Sequence, residues 1–364
     1  MPGIEDAYCF SCSLEKKNVL ERDHHMTVRQ LRWTKEHAWE WYHSRPIPYG
    51  FNFLPSTAVN STEMWQEQSF DEETITRELN WATQYGFNSC RVFLQYLLWE
   101  ENASAYKMRI EQFLAIATRY GISTMLILFD DCAFAGKEPH LGPQDAPVAG
   151  VHNSGWTPSP GPIVADNSAM WGQLEAYVKD IVGTFATDTR ILMWDIYNEP
   201  SNNERGTKSL SLLEHAFSWA RDVRPMQPLT SGVWGCQETD ARCLALSDII
   251  TFHTYDDADT LRLRIHDLKR HNFPLVCTEW MARTRGSRFE THVPIFAEEA
   301  VGCYMWGLVN GKTQTHLPWG SSREAPTPNM WFHDLLYTDG TPYGQEEIAI
   351  IQRYRTYFAR LSHS

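Results

Sequence analysis

A single-domain α/β fold, a (β/α)8 barrel, is predicted by three features of this chain. From Pro46 onward, apolar runs of strand length alternate with amphipathic helical stretches, eight strands in all, the pattern of a parallel sheet wrapped by helices. Two runs, Trp194-Asp195-Ile196-Tyr197-Asn198-Glu199-Pro200 and Leu275-Val276-Cys277-Thr278-Glu279-Trp280, end in a carboxylate, and barrel strand ends point side chains into one common cleft. At 364 residues the chain is long enough for one large barrel and its core.

The elements follow in order. Residues 1–30 are polar and without period and read as a flexible N-terminal extension, leaving 31–364 as the barrel domain. The first strand is Tyr49 to Leu54, and Ile75, Leu79 and Ala82 recur at helical spacing behind it, with Ser69 and Glu72 as a capping box. Strand two, Ser89 to Leu94, precedes a helix with Tyr106, Ile110, Phe113, Leu114 and Ala117 on one face, stopped at Gly121. Strand three, Thr124 to Phe129, runs into Asp130-Asp131 and a Pro/Gly-rich loop to about Ala169, long enough to be functional. A helix with Leu174, Tyr177, Val178, Ile181, Val182 and Phe185 leads to strand four, Ile191 to Ile196. Strands five to eight are Leu229 to Trp234, Ile249 to His253, Leu275 to Thr278 and Val301 to Trp306, with Leu261, Ile265 and Leu268 on the helix after strand six. Ile348, Ile351, Tyr354 and Phe358 share a face of the closing helix.

Composition narrows the function. A net charge of -13 argues against nucleic acid, whose binders concentrate positive charge. The absence of an early apolar run and of roughly twenty consecutive apolar residues points to a cytoplasmic chain with no membrane partner. The eight cysteines are scattered and read as reduced thiols; Cys9 and Cys12 have half of a zinc pattern but no second pair. The sequons at Asn60 and Asn102 read as accidental. Gly311-Lys312-Thr313 lacks the glycine that a phosphate loop requires at the position of Trp306. No metal-binding cluster and no nucleophile elbow is present, so neither metal nor cofactor is expected.

With Asn198-Glu199-Pro200 on a fourth strand and Glu279 on a seventh, the chain resembles the retaining glycoside hydrolases of clan A, especially glycoside hydrolase family 5, from about Tyr49 to Phe358. That resemblance implies a retaining β-glycosidase acting on a carbohydrate by double displacement, with Glu199 as general acid/base and Glu279 as nucleophile. The chemistry needs one carboxyl kept neutral to protonate the leaving oxygen and one kept ionised to attack, about 5 to 5.5 Å apart.

The same resemblance makes Arg91 the residue that holds the nucleophile ionised, and an arginine in so apolar a strand needs an acidic partner in any case. Tyr255 of His253-Thr254-Tyr255 would hydrogen-bond the nucleophile, His253 would line the cleft, and Trp306 would form the platform beneath the sugar. Asn52 and Asn198 join as supporting positions at strands one and four. Among the 15 tryptophans, most serve packing, though aromatic faces also stack on sugar rings.

The sequence departs from the family after strand three, where Asp130-Asp131 replaces a histidine and would offer acceptors to sugar hydroxyls. The polar loop Asn310 to His316 could bind hydroxyls, or an anionic substituent through Lys312, or be solvated. The two long loops would wall off one end of the cleft, which favours an exo-acting pocket over an endo-acting, cellulase- or mannanase-like groove. A non-hydrolytic carbohydrate-binding barrel is the alternative of another class, and the oligomeric state is not legible.

Overall fold

In the computed structural model the described residues are 32–134, 136–324 and 328–360. The proposed extension 1–30, with Cys9 and Cys12, lies outside them. Eight parallel strands form the sheet: β1 Tyr49–Phe53, β2 Ser89–Phe93, β3 Ser123–Asp130, β4 Ile191–Asn198, β5 Leu229–Thr230, β6 Ile250–His253, β7 Leu275–Trp280 and β8 Gly302–Trp306. Their order, β5-β4-β3-β2-β1-β8-β7-β6, brings the first and last strands together. A parallel bridge between Val233 and Phe252 completes the circuit from β5 to β6. The barrel expected from the alternation is the fold observed.

Differences lie at the ends of elements. The fifth strand was expected to reach Trp234 but pairs with β4 only over Leu229–Thr230. Beyond Thr230 the chain leaves β4 and bonds β6 instead, Val233 N donating to Thr251 O and His253 N to Val233 O, with Gly232 lying close against the His253 ring. The capping box at Ser69 and Glu72 is not formed. Helix Glu72–Tyr85 is capped instead by Asp71, which accepts from Thr74 N at 2.9 Å, while Ser69 Oγ donates to Glu63 O. The helix behind β2 begins at Tyr96 and breaks at Asn102 before continuing to Arg119. Asn60, of the first sequon, is buried and donates to Gln144 and Gly155, so it presents nothing to solvent.

Helix Lys35–His43 was not expected. It turns Ala38, Trp41 and Tyr42 inward, and the Tyr42 hydroxyl donates to Ala300 O and accepts from Gly302 N at 2.9 Å, tying it to the start of β8. Cys90, Cys132, Cys236, Cys243, Cys277 and Cys303 are free thiols. Among the described residues no helix is long and apolar enough to cross a membrane.

The cap assignment is directly testable. Replacing Asp71 by Ala should cost about 1 kcal/mol of stability, whereas Glu72→Ala should stay within about 0.5 kcal/mol; urea unfolding of the two variants compares them.

Candidate active site

The strand order carries seven of the candidate positions to one end of the barrel. Arg91 lies in β2, Asn198 closes β4 with Glu199 next to it, His253 closes β6 with Tyr255 two residues on, Glu279 lies in β7 and Trp306 closes β8. All but Arg91 line a cavity of 340 Å³.

Arg91 is fully buried beneath it and organises the floor. Its Nη1 donates to Glu279 Oε1 and to Asn52 Oδ1, each at 2.8 Å; Nη2 donates to Asp195 Oδ2 at 2.7 Å and to Asn198 Oδ1 at 2.5 Å. One guanidinium on β2 therefore serves three other strands, β1, β4 and β7. Asn52 in turn donates to Thr278 O and Met305 O, so its amide faces the barrel interior and fixes the fork of Arg91.

One oxygen of Glu199, one of Glu279 and one ring nitrogen of His253 lie within 4.8 Å of one another. The two carboxylates nonetheless have different surroundings. Burial and the nearby Glu199 push Glu279 upward, partly offset by His253, by Arg91 at 2.8 Å and by the Tyr255 hydroxyl, which donates to Oε2 at 2.7 Å. Glu199 has no cation in contact, and burial pushes it up to about 7 despite a hydrogen bond from Asn202 Nδ2 to its Oε2. Its Oε1 meets His253 Nδ1 at 2.8 Å. Burial holds His253 down to about 4, hence neutral, so Nδ1–H can donate to Glu199 while the buried Nε2 has no partner. Glu199 also carries a positive φ of 42°, a strained backbone that aims its side chain away from the strand line.

The donor set Glu199, His253 and Glu279 could geometrically hold a cation. Each of the four carboxylate oxygens already faces a protein hydrogen-bonding group, so an ion would have to displace them.

The Cellulase family model, glycosyl hydrolase family 5, matches residues 48–315. The chain belongs to glycosyl hydrolase family 5. No curated protein matches it. Among solved structures, the exo-β-1,4-mannosidase Op5Man5 from Opitutaceae bacterium strain TAV5 is 16% identical with a TM-score of 0.63, and the match covers 86% of this chain and 60% of that one. This chain thus spans less than two thirds of that protein's length. The endo-β-1,4-mannanase from Thermotoga petrophila is 12% identical with a TM-score of 0.57, over 88% and 78% of the two chains. A family 5 mannosidase from Rhizomucor miehei is 14% identical with a TM-score of 0.56, over 87% and 94%. At such identities these likenesses show the fold alone.

Three of the expected sugar contacts lie elsewhere than this family 5 cleft. Lys312 pairs with Glu63 at 2.6 Å and does not line the cavity, because its loop folds back on Ser56, whose carbonyl accepts from Lys312 N at 3.0 Å. Asp131 lies under the loop after Glu199, accepting from Tyr197, Ser201 N and Ser209 and pairing with Arg205 at 2.9 Å. Asp130 is buried behind Asn198 and accepts from Asn198 Nδ2, Cys132 N and Trp156 Nε1. Both aspartates act on protein donors, with Asp130 orienting the asparagine beside Glu199.

Asp195, Asn202, Trp156, His152, His333 and Trp319 were not anticipated as site residues. Asp195 had a usable signal: a buried arginine demands an anion, and Asp195 shares its strand with Asn198. The others sit in loops without period.

Removing the hub charge should be costly. Arg91→Met strands Asp195 and Glu279 as buried anions and should lose about 3–5 kcal/mol in urea unfolding. Arg91→Lys, which keeps the charge but not the fork, should recover part of that stability and little of the activity.

Proposed function

We propose that this family 5 chain is a retaining, exo-acting β-glycosidase. The observation that carries the reading is the pair of carboxylates within 4.8 Å, too close for an attacking water between them and suited to direct displacement. Glu279, held toward the anion by Arg91 and Tyr255, attacks the anomeric carbon. Glu199, held up to about 7 by burial, protonates the leaving oxygen. In the second step Glu199 takes a proton from water, and that water releases the sugar from Glu279. Trp306 packs edge-on against Phe93 and Trp156, with centroids 5.8 and 5.9 Å away, and offers an aromatic wall to the bound ring.

Support for exo action comes from the loops. The segment after β3 and the segment after β8 are laced together: Asn153 N donates to Thr313 O at 2.7 Å, His152 N to Ser321 Oγ at 2.9 Å, and Gln314 Nε2 to Val148 O at 2.8 Å. A cleft closed in this way leaves a pocket near the small end of the usual ligand range, about 300–1,000 Å³. Neighbours named as mannosidases and mannanases make β-mannosides the first substrates to try. Release of single sugars from reduced oligosaccharides is the expected result; internal cleavage would favour an endo-acting glycanase, and no turnover of any β-glycoside a binding barrel.

Glu279→Ala should lose essentially all turnover while remaining folded, since Arg91 keeps Asp195, Asn52 and Asn198 as partners. Glu199→Ala should lose most on substrates with poor leaving groups and recover with azide.

The pH profile gives an independent check. Activity requires protonated Glu199, so it falls as pH rises through about 7. Asn202 donates to that carboxylate and lowers its pKa; Asn202→Ala should therefore move the alkaline limb of kcat/KM to higher pH, and an unmoved limb would separate Asn202 from the titration.

A further inference from the structure

His152 and His333, from the loops after β3 and β8, line the same cavity as Glu199 and Glu279. Both are buried, and their ring centroids are 5.6 Å apart. His152 Nδ1 lies 2.7 Å from Leu317 O and His333 Nδ1 lies 2.5 Å from Met281 O. A carbonyl oxygen can only accept, so each Nδ1 must carry the proton. A neutral ring then has a bare lone pair at Nε2, and among the described residues neither Nε2 has a protein partner.

We infer that His152 and His333 form a hydroxyl-reading pair for the terminal sugar, two fixed acceptors that select a neutral ring with two free neighbouring hydroxyls. The inference rests on the glycosidase reading and names the substrate class of that site. Both imidazoles stay neutral in the working range. Burial pushes His152 down to about 4 and His333 well below its ordinary value. His316 adds to the lowering of His152, and His152 and Arg283 to that of His333, against the opposing hydrogen bonds to Leu317 O and Met281 O. Tyr255, whose ring lies 5.4 Å from that of His333, is the residue that donates to Glu279, which puts the pair on the nucleophile's side of the cavity.

The consequence is selective. A hydroxyl can donate to an Nε2 lone pair, whereas a carboxylate, a sulfate or an O-alkyl group at either of the two positions has no proton to give and would leave that acceptor unpaired. The pair therefore favours a neutral sugar, in place of the acidic one that Lys312 had suggested.

The test uses the whole chain and 4-nitrophenyl β-glycosides of its best sugar, each ring hydroxyl replaced singly by hydrogen. Beyond the position next to the anomeric carbon, two neighbouring deoxy compounds should each lose about tenfold in kcat/KM. His152→Phe should lose a similar factor on the parent glycoside and lose nothing further on one of those two compounds; His152→Gln, which keeps an acceptor oxygen, should recover part of it. Uniform losses across all deoxy compounds, or a uronide turned over faster than the parent, would overturn the pair. Calorimetric binding of the same compounds reads the pair without turnover. Position-selective loss of affinity in a protein that hydrolyses none of them would sink the glycosidase reading and leave the pair standing, whereas hydrolysis with no positional selectivity would do the reverse.

Discussion

The buried guanidinium of Arg91 is the constraint on which the site depends. A cation taken wholly out of water is tolerated only where anions and oriented dipoles replace its hydration, and here β1, β4 and β7 each supply part of that replacement through Asn52, Asp195 with Asn198, and Glu279. Its planar fork holds these groups at fixed angles, as an ammonium could not. The carboxylate of Glu279 is thus oriented on one side by Arg91, as Tyr255 orients it on the other, and the strands that carry these residues are tied together at the cleft floor.

Two carboxyls in one cavity become different through what touches them. Glu279 has a cation and a phenol; Glu199 has a neutral imidazole and an amide. Burial raises both, and only the first is pulled back by a contacting positive charge. The aspartates after β3 work one layer further out. Asp130 turns the amide of Asn198, which accepts from Arg91 on its other side, and Asp131 with Arg205 holds the loop that follows Glu199. At the end of β3, where Asp130 and Asp131 stand, polar capacity is spent on protein groups, and two of the cavity's imidazoles, His152 and His333, come from long loops.

What could be read in the sequence divides along physical lines. Barrel strands are buried on both faces and therefore leave continuous apolar runs, so β1 to β4 and β6 to β8 were legible to within a few residues, and Glu199 and Glu279 announced themselves as polar residues ending such runs. β5 was overdrawn because beyond Thr230 its pairing passes from β4 to a single bridge with β6, a change between residues remote in sequence. Arg91 was legible as a buried charge in want of partners, though which anions it meets depends on register. Asp130, Asp131 and Lys312 misled because an exposed-looking polar residue in a loop carries no mark of direction. Trp156, His152 and His333 lacked any signal at all: their loops have no period, and their positions follow from the hydrogen bonds between two segments far apart in the chain.

The seat of Tyr42 has a bearing on how the chain assembles during synthesis. Helix Lys35–His43 leaves the ribosome among the first of the described elements, yet its tyrosine is satisfied by Ala300 and Gly302, at the start of the last strand. Folding proceeds as the chain emerges, with early segments available long before late ones. The amphipathic face of this helix must therefore wait, solvated or shielded by other contacts, through the making of nearly the whole barrel, and its docking coincides with the arrival of β8. An element early in the chain is thus fastened to the residues that open the last strand.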